Sequence, residues 1–299
     1  MESLMEVNKK ELEALIKLLD DTDQEVYRHI EDRLVSYGKG VISSLEEVWS
    51  STFDVFLQQR IENIIHKIQF DEVKEDLRIW TVTPGHSLLD AAILVARYQY
   101  PDLDEAKLRA QIVQIKKDAW LELNDNLTAL EQIKVLNHIF FDVHGFGGNT
   151  TNFHAPQNSY INNVLESKKG NPLTLSLLYS EVARSLDVPV FGVNLPEHFV
   201  LAYVDNSGIV ELKDENTNTN VLFYVNPFSK GTIFSRKEIT AFLKQINVNP
   251  DEYYYQPCAN VEIVQRLVRN LINSYDKLGY PDKMQELARI MSVLGEARL

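Results

Sequence analysis

The residues of this 299-residue chain that could take part in group transfer cluster in its middle and tail. His198, in Pro196-Glu-His-Phe199, is a candidate base, because a neutral imidazole can take a proton near neutral pH. Thr174 and Ser176 are the nearby hydroxyls and Cys258 is the one thiol. A hydroxyl attacks only with a positioned base, and successive helical side chains turn by about 100°, so Thr174 and Ser176 point differently. Cys258 follows Tyr253-Tyr-Tyr-Gln-Pro and precedes a helical tail, where a lone cysteine reads as a small packed residue or as a thiol recruited to a cleft.

Two other groupings carry less chemistry. The gap between His144 and His154, taken with Asp142, matches no usual ligand spacing, so no metal and no cofactor are expected. Gly145-Phe-Gly-Gly-Asn149 lacks a following Lys-Ser/Thr and a directly following helix, so it reads as a glycine turn and not as a phosphate loop. The amides Asn149, Asn152, Gln157, Asn158, Asn162 and Asn163 could pair with an extended peptide backbone, or simply cap a loop.

The elements that must position these residues can be read from periodicity. Leu12, Leu15, Ile16 and Leu19 share a helical face, and Asp20-Asp-Thr-Asp23 caps a second helix through Val26, Ile30 and Leu34. Two more follow at Val41 to Trp49 and Leu57 to Ile68. Thr83-Pro84-Gly85 marks a boundary. Helical patterns then begin at Leu88, Leu108 and Ile133, with a short helix from Ser159. Asn171-Pro172 opens a longer helix, since Asn suits the N-cap and the first turn has no use for the donor that proline lacks. Residues 190–193, 199–204, 209–213 and 221–225 read as strands by their β-branched and aromatic content. The tail returns to helix through Val261, Val264, Leu267, Val268 and Leu271, turns at Gly279-Tyr-Pro281, and continues through Met284, Leu287 and Ile290. Helices first and an antiparallel sheet afterwards indicate an α+β protein, divided at residues 1–82, 83–250 and 251–299.

Composition narrows the function. With 44% hydrophobic residues the chain can bury a real core. A formal charge of −13, from 30 Lys and Arg against 43 Asp and Glu, disfavours nucleic acid as a partner. A single cysteine fits a reducing compartment; an acidic start and the lack of any long apolar run predict a cytoplasmic protein with no membrane association.

Several phrases occur in order: Gly145-Phe-Gly-Gly-Asn149, Asn158-Ser-Tyr-Ile-Asn162, Lys169-Gly-Asn-Pro-Leu-Thr-Leu-Ser-Leu-Leu-Tyr179, Val182-Ala-Arg184, Gly192-Val-Asn-Leu-Pro-Glu-His-Phe199 and Asn226-Pro-Phe228. Together they resemble the SirB-type transglutaminase-like family across about residues 84–240. The resemblance implies a transglutaminase/papain-like core of helices plus antiparallel sheet. Active members of the wider group place a cysteine at the N-terminus of a buried helix, a histidine on an adjacent strand and an Asp or Asn on the next. The matching positions here are Pro172, His198 and Asn226. The SirB-type family commonly has Gly-x-Pro in place of Gly-x-Cys, so Pro172 is typical of it. Glu197 stands where that family usually has Gly, and Asn226 where it has Asp; both changes weaken proton-transfer chemistry. The N-terminal region resembles a HEAT-type repeat, and the C-terminal pair a tetratricopeptide-like hairpin.

These readings predict a catalytically inactive transglutaminase-like module that binds a protein or peptide or acts as a regulator. The cleft expected from the resemblance is formed by Asn171, Thr174, Glu197, His198, Asn226, Asn149 and Asn158. The competing expectation is a hydrolase or acyltransferase using Thr174, Ser176 or Cys258 with His198. A third is a structural subunit whose cleft is filled by its own residues.

Overall fold

A computed structural model describes residues 9–85, 87–205 and 220–295. The chain forms two compact units, Met1–Asp76 and Leu77–Leu299.

Four helices come first among the described residues: α1 (Lys9–Lys17), α2 (Gln24–Ser36), α3 (Ile42–Ser51) and α4 (Val55–Val82), the last running past Asp76 into the second unit. Asp23 starts α2 as its sequence suggests, its carboxylate accepting from Glu25 N and Val26 N. The apolar stripes meet in a core of Leu12, Leu19, Ile30, Leu34, Leu45, Ile61 and Ile64. Arg60 is 5% exposed, yet it is spent locally. It donates to the carbonyls of Leu19 and Asp21 at 2.6 Å each and lies 4.1 Å from the rings of Tyr27 and Phe56.

The second unit continues with α5 (Leu88–Gln99), α6 (Glu105–Glu122) and α7 (Ala129–Asn137), the last running into a π-helical turn, His138–Val143. The glycine segment then forms a two-residue strand, β1 (Gly147–Gly148), before α8 (Ile161–Ser167), β2 (Lys169–Gly170) and α9 (Pro172–Arg184). β1 pairs in parallel with β2, Gly148 opposite Gly170, so these glycines do more than turn the chain. A side chain at Gly148 would meet the Phe228 ring at 2.6 Å.

Helix α9 is buried on nearly every side, from Leu173 to Ser180, and Leu173, Leu175, Leu177 and Leu178 are at most 1% exposed. A helix covered on nearly every side belongs in the centre of a domain. It packs on the first two strands of a four-stranded antiparallel sheet ordered β3 (Val190–Asn194), β4 (Phe199–Val204), β5 (Val221–Asn226) and β6 (Thr232–Phe234). The strand expected at 209–213 lies outside the described residues. β6 and the following α10 (Arg236–Gln245) were not singled out by the sequence.

The two faces of the sheet have different covers. Val193, Leu195, Val200, Ala202 and Tyr224 pack against Ile239 and Leu243 of α10. On the other face, Gly192 and Phe199 meet Ile263 of α11 (Asn260–Leu278). Helix α11 turns at Gly279, φ +75°, and pairs with α12 (Pro281–Val293). The hairpin is tied to the helical core by polar contacts. Tyr160 and Tyr275 share a hydrogen bond of 3.0 Å, Tyr275 donates to Gln99 at 3.1 Å, and Lys283 donates to Gln99 at 2.6 Å. Residues 251–295 are therefore part of the second unit.

Candidate functional site

A cleft of about 410 Å³ opens over the N-terminus of α9. Its floor is Asn171, Pro172 and Leu173, one wall is the loop from Phe153 to Ala155, and Glu197 and Phe199 enter from the sheet. The remaining wall is α11, through Arg266, Asn270, Asn273, Ser274, Asp276 and Lys277. The positions 266, 270, 273, 274 and 277 recur at helical spacing, alongside the buried stripe of Ile263, Leu267 and Leu271.

The start of α9 is built by a chain of amides. Asn171 caps the helix, its Oδ1 accepting from Thr174 N at 2.9 Å and Thr174 Oγ1 at 3.1 Å. Its Nδ2 donates to Ser159 Oγ at 2.9 Å. Asn149 Nδ2 donates to Asn158 Oδ1 at 2.9 Å, and Asn158 Nδ2 donates to the carbonyls of Asn152 and Phe153 at 2.7 and 3.1 Å. The backbone N–H of Asn171 completes the link by donating to Asn158 O. Asn149, Asn158, Asn171 and Thr174 thus form one network that fixes the 149–159 loop against α9. Asn158, Asn171 and Thr174 are almost fully buried, so this network shapes the cleft.

The other sequence candidates are dispersed. Pro172 is the first residue of α9 and supplies neither an attacking atom nor an N–H. His198 is exposed and has the strand parity of Val200, on the α10 side of the sheet. Its ring stacks on Phe242, 5.0 Å between centroids. Asn226 uses its Oδ1 to accept from Phe228 N and Ser229 N at 3.1 and 3.3 Å. No hydrogen bond joins His198 to Asn226 among the described residues. Glu197 reaches the cleft through a left-handed backbone, φ +58°. Ser176 is fully buried and its Oγ is without a partner.

Cys258 is held beside β3, where its N–H donates to Gly192 O at 2.9 Å. Burial, and secondarily the Glu262 carboxylate, push its thiol up to about 12, which favours the neutral thiol at ordinary pH. Of the histidines weighed as metal ligands, His144 Nε2 lies 2.8 Å from Asp118 Oδ2 and His154 Nε2 lies 2.9 Å from Lys277 Nζ. The second contact ties the loop wall of the cleft to α11.

The electrostatics centre on Arg266. Burial lowers its pKa, and its Nη1 donates to Asn194 Oδ1 and, at 2.6 Å, to Leu195 O. Both acceptors are uncharged, and no carboxylate pairs with this guanidinium among the described residues. Sequence reasoning missed the whole α11 wall. Its signal was present as the polar stripe of that helix, but the tail read as a tetratricopeptide-like hairpin.

A helix that starts with its N-terminus under a cleft and packs on an antiparallel sheet is the architecture implied by the motifs. The transglutaminase-like superfamily pattern matches residues 106–269, over half of the chain. The chain belongs to the transglutaminase-like superfamily. A UPF0162 protein of Xylella fastidiosa strain 9a5c is 30% identical over 69% of this chain and 72% of its own length. F-box only protein 21 of Mus musculus is 30% identical over 76% of this chain, and the human protein of the same name 29% identical over the same share. The matched region spans 39% and 38% of those two relatives. No solved structure matches. Among the described residues no helix is long and apolar enough to cross a membrane.

Proposed function

We propose that this chain is a SirB-type transglutaminase-like module that has given up acyl transfer and uses the cleft over α9 to bind a segment of a partner protein. The observation that carries the reading is Pro172. In an acyl-transfer site the first helical residue supplies the nucleophile, and its backbone N–H stabilises the oxyanion. Proline supplies neither, and Leu173 has the first unbonded N–H of the helix.

The surroundings point the same way. His198 faces Phe242, Cys258 is a half-buried thiol held in its neutral form, and the cleft is lined by amides and charges suited to a peptide. The N-terminal region of residues 1–82 and the C-terminal hairpin of residues 251–299 are read as HEAT-like and tetratricopeptide-like scaffold elements. The relatives' names assign no reaction to this region, and the partner is a protein or peptide and not a nucleic acid.

Selection of displayed random dodecapeptides on the full chain tests this. Binders should be rejected by Asn273→Trp, which fills the cleft, and retained by Trp120→Ala, which lies outside it. Binders insensitive to Asn273→Trp would overturn the reading.

A further inference from the structure

We infer that the α11 wall of the cleft is a carboxylate-recognition site, with Arg266 as the anchor and Lys277 as the second cation. This deepens the peptide-binding reading and rests on it.

The argument begins with an imbalance of charge. Arg266 is half-buried, and its only hydrogen bonds among the described residues, both from Nη1, go to uncharged acceptors. Nε and Nη2 are left without a protein acceptor among the described residues. A guanidinium removed from water without a counter-charge is costly, and a fold keeps one where an external anion completes it. Its planar fork suits a carboxylate, which can accept two parallel hydrogen bonds. Arg266 is also held in place, by Asn194, by the Leu195 carbonyl and by the Phe199 ring 5.8 Å away.

The other charges of the cleft decide the sign. Lys277 is exposed, and among the described residues its ammonium meets only His154 Nε2 and no carboxylate. Glu197 and Asp276 also line the cleft, but both are exposed and keep their hydration, so they create no comparable demand for a cation. The N-terminus of α9 adds a partial positive charge, with the Leu173 N–H free in the first turn. The anion can come from a peptide C-terminus or from an Asp or Glu side chain.

The test is titration of the uniformly ¹⁵N-labelled full chain with N-acetylglycine, with N-acetylglutamate methylamide and with N-acetylglutamine methylamide, reading the Arg266 Nε–H and Leu173 N–H resonances. At least one of the two carboxylates should give saturable shifts at Arg266, and which one does identifies the source. The glutamine analogue should not. Lys277→Gln should weaken the carboxylate without altering the fold, and Arg266→Gln should weaken it by about tenfold or more, with Arg266→Lys intermediate. Equal shifts from all three ligands would overturn the carboxylate assignment. An absence of shifts with any ligand would overturn it as well. Neither result bears on cleft-dependent dodecapeptide selection, which separates the fate of this inference from that of peptide binding.

Discussion

Gly192→Ala probes the joint on which the cleft depends. The added Cβ would lie 2.6 Å from Phe199 Cζ and 2.9 Å from Ile263 Cδ1, against about 3.5–4.0 Å for relaxed carbon contacts. Phe199 and Ile263 are 2% and 3% exposed, so both must move by about 1 Å inside a packed interface. Overpacking of this kind costs about 1–3 kcal/mol, and two simultaneous clashes put the site at the upper end. Alanine regains about 0.5–1 kcal/mol by restricting the unfolded chain, because Gly192 has no positive φ. The net loss should be about 2 kcal/mol. For a unit of this size that lowers the thermal midpoint by about 4–8 °C, measurable by calorimetry. Trimming the neighbour should relieve the clash, so Gly192→Ala with Phe199→Leu should be more stable than the sum of the single changes implies. An unmoved midpoint for Gly192→Ala would refute the close packing of α11 on the sheet, and with it the α11 wall.

Further outcomes follow from the same geometry. Asn171→Ala should lose about 1–2 kcal/mol by uncapping α9, while Asn171→Asp keeps most of that stability; urea midpoints at constant slope distinguish them. Cys258 has a thiol pKa raised by folding to about 12, so its stabilising effect is complete below the unfolded thiol's pKa and is lost as pH rises from there toward 12. Cys258→Ala should therefore flatten the alkaline fall in stability, and iodoacetamide should label native Cys258 far more slowly than the unfolded chain. Pro172→Cys should create a thiol at a helix N-terminus that alkylates faster than Cys258, yet gives no acyl transfer, because His198 is turned to Phe242.

What the sequence made legible were features set by local chemistry. The Asn171-Pro172 start of α9, the Asp23 cap and the strands at 190–194, 199–204 and 221–226 all follow from capping preference or β-branched and aromatic runs. What stayed hidden depended on tertiary context. Gly147 and Gly148 read as a turn because a two-residue parallel pair has no periodicity of its own. The face taken by His198 depends on the left-handed Glu197 just before β4, which no pattern announces. The sequence left the amides of the 149–159 loop open between pairing with a peptide and capping the loop; Asn149 and Asn158 bond to each other, and Ser159 accepts from the N-cap of α9. Arg266 was passed over because its loss of hydration comes from packing against β3 and β4, far away in sequence.

The central claim is that the cleft over α9 binds without attacking. Intact-mass spectrometry of the wild-type chain after exposure to p-nitrophenyl acetate at pH 7.5 tests it directly. The account predicts no burst of nitrophenol and no stoichiometric acetyl adduct. A single adduct on Thr174, Ser176 or Cys258 that disappears in His198→Ala would contradict it.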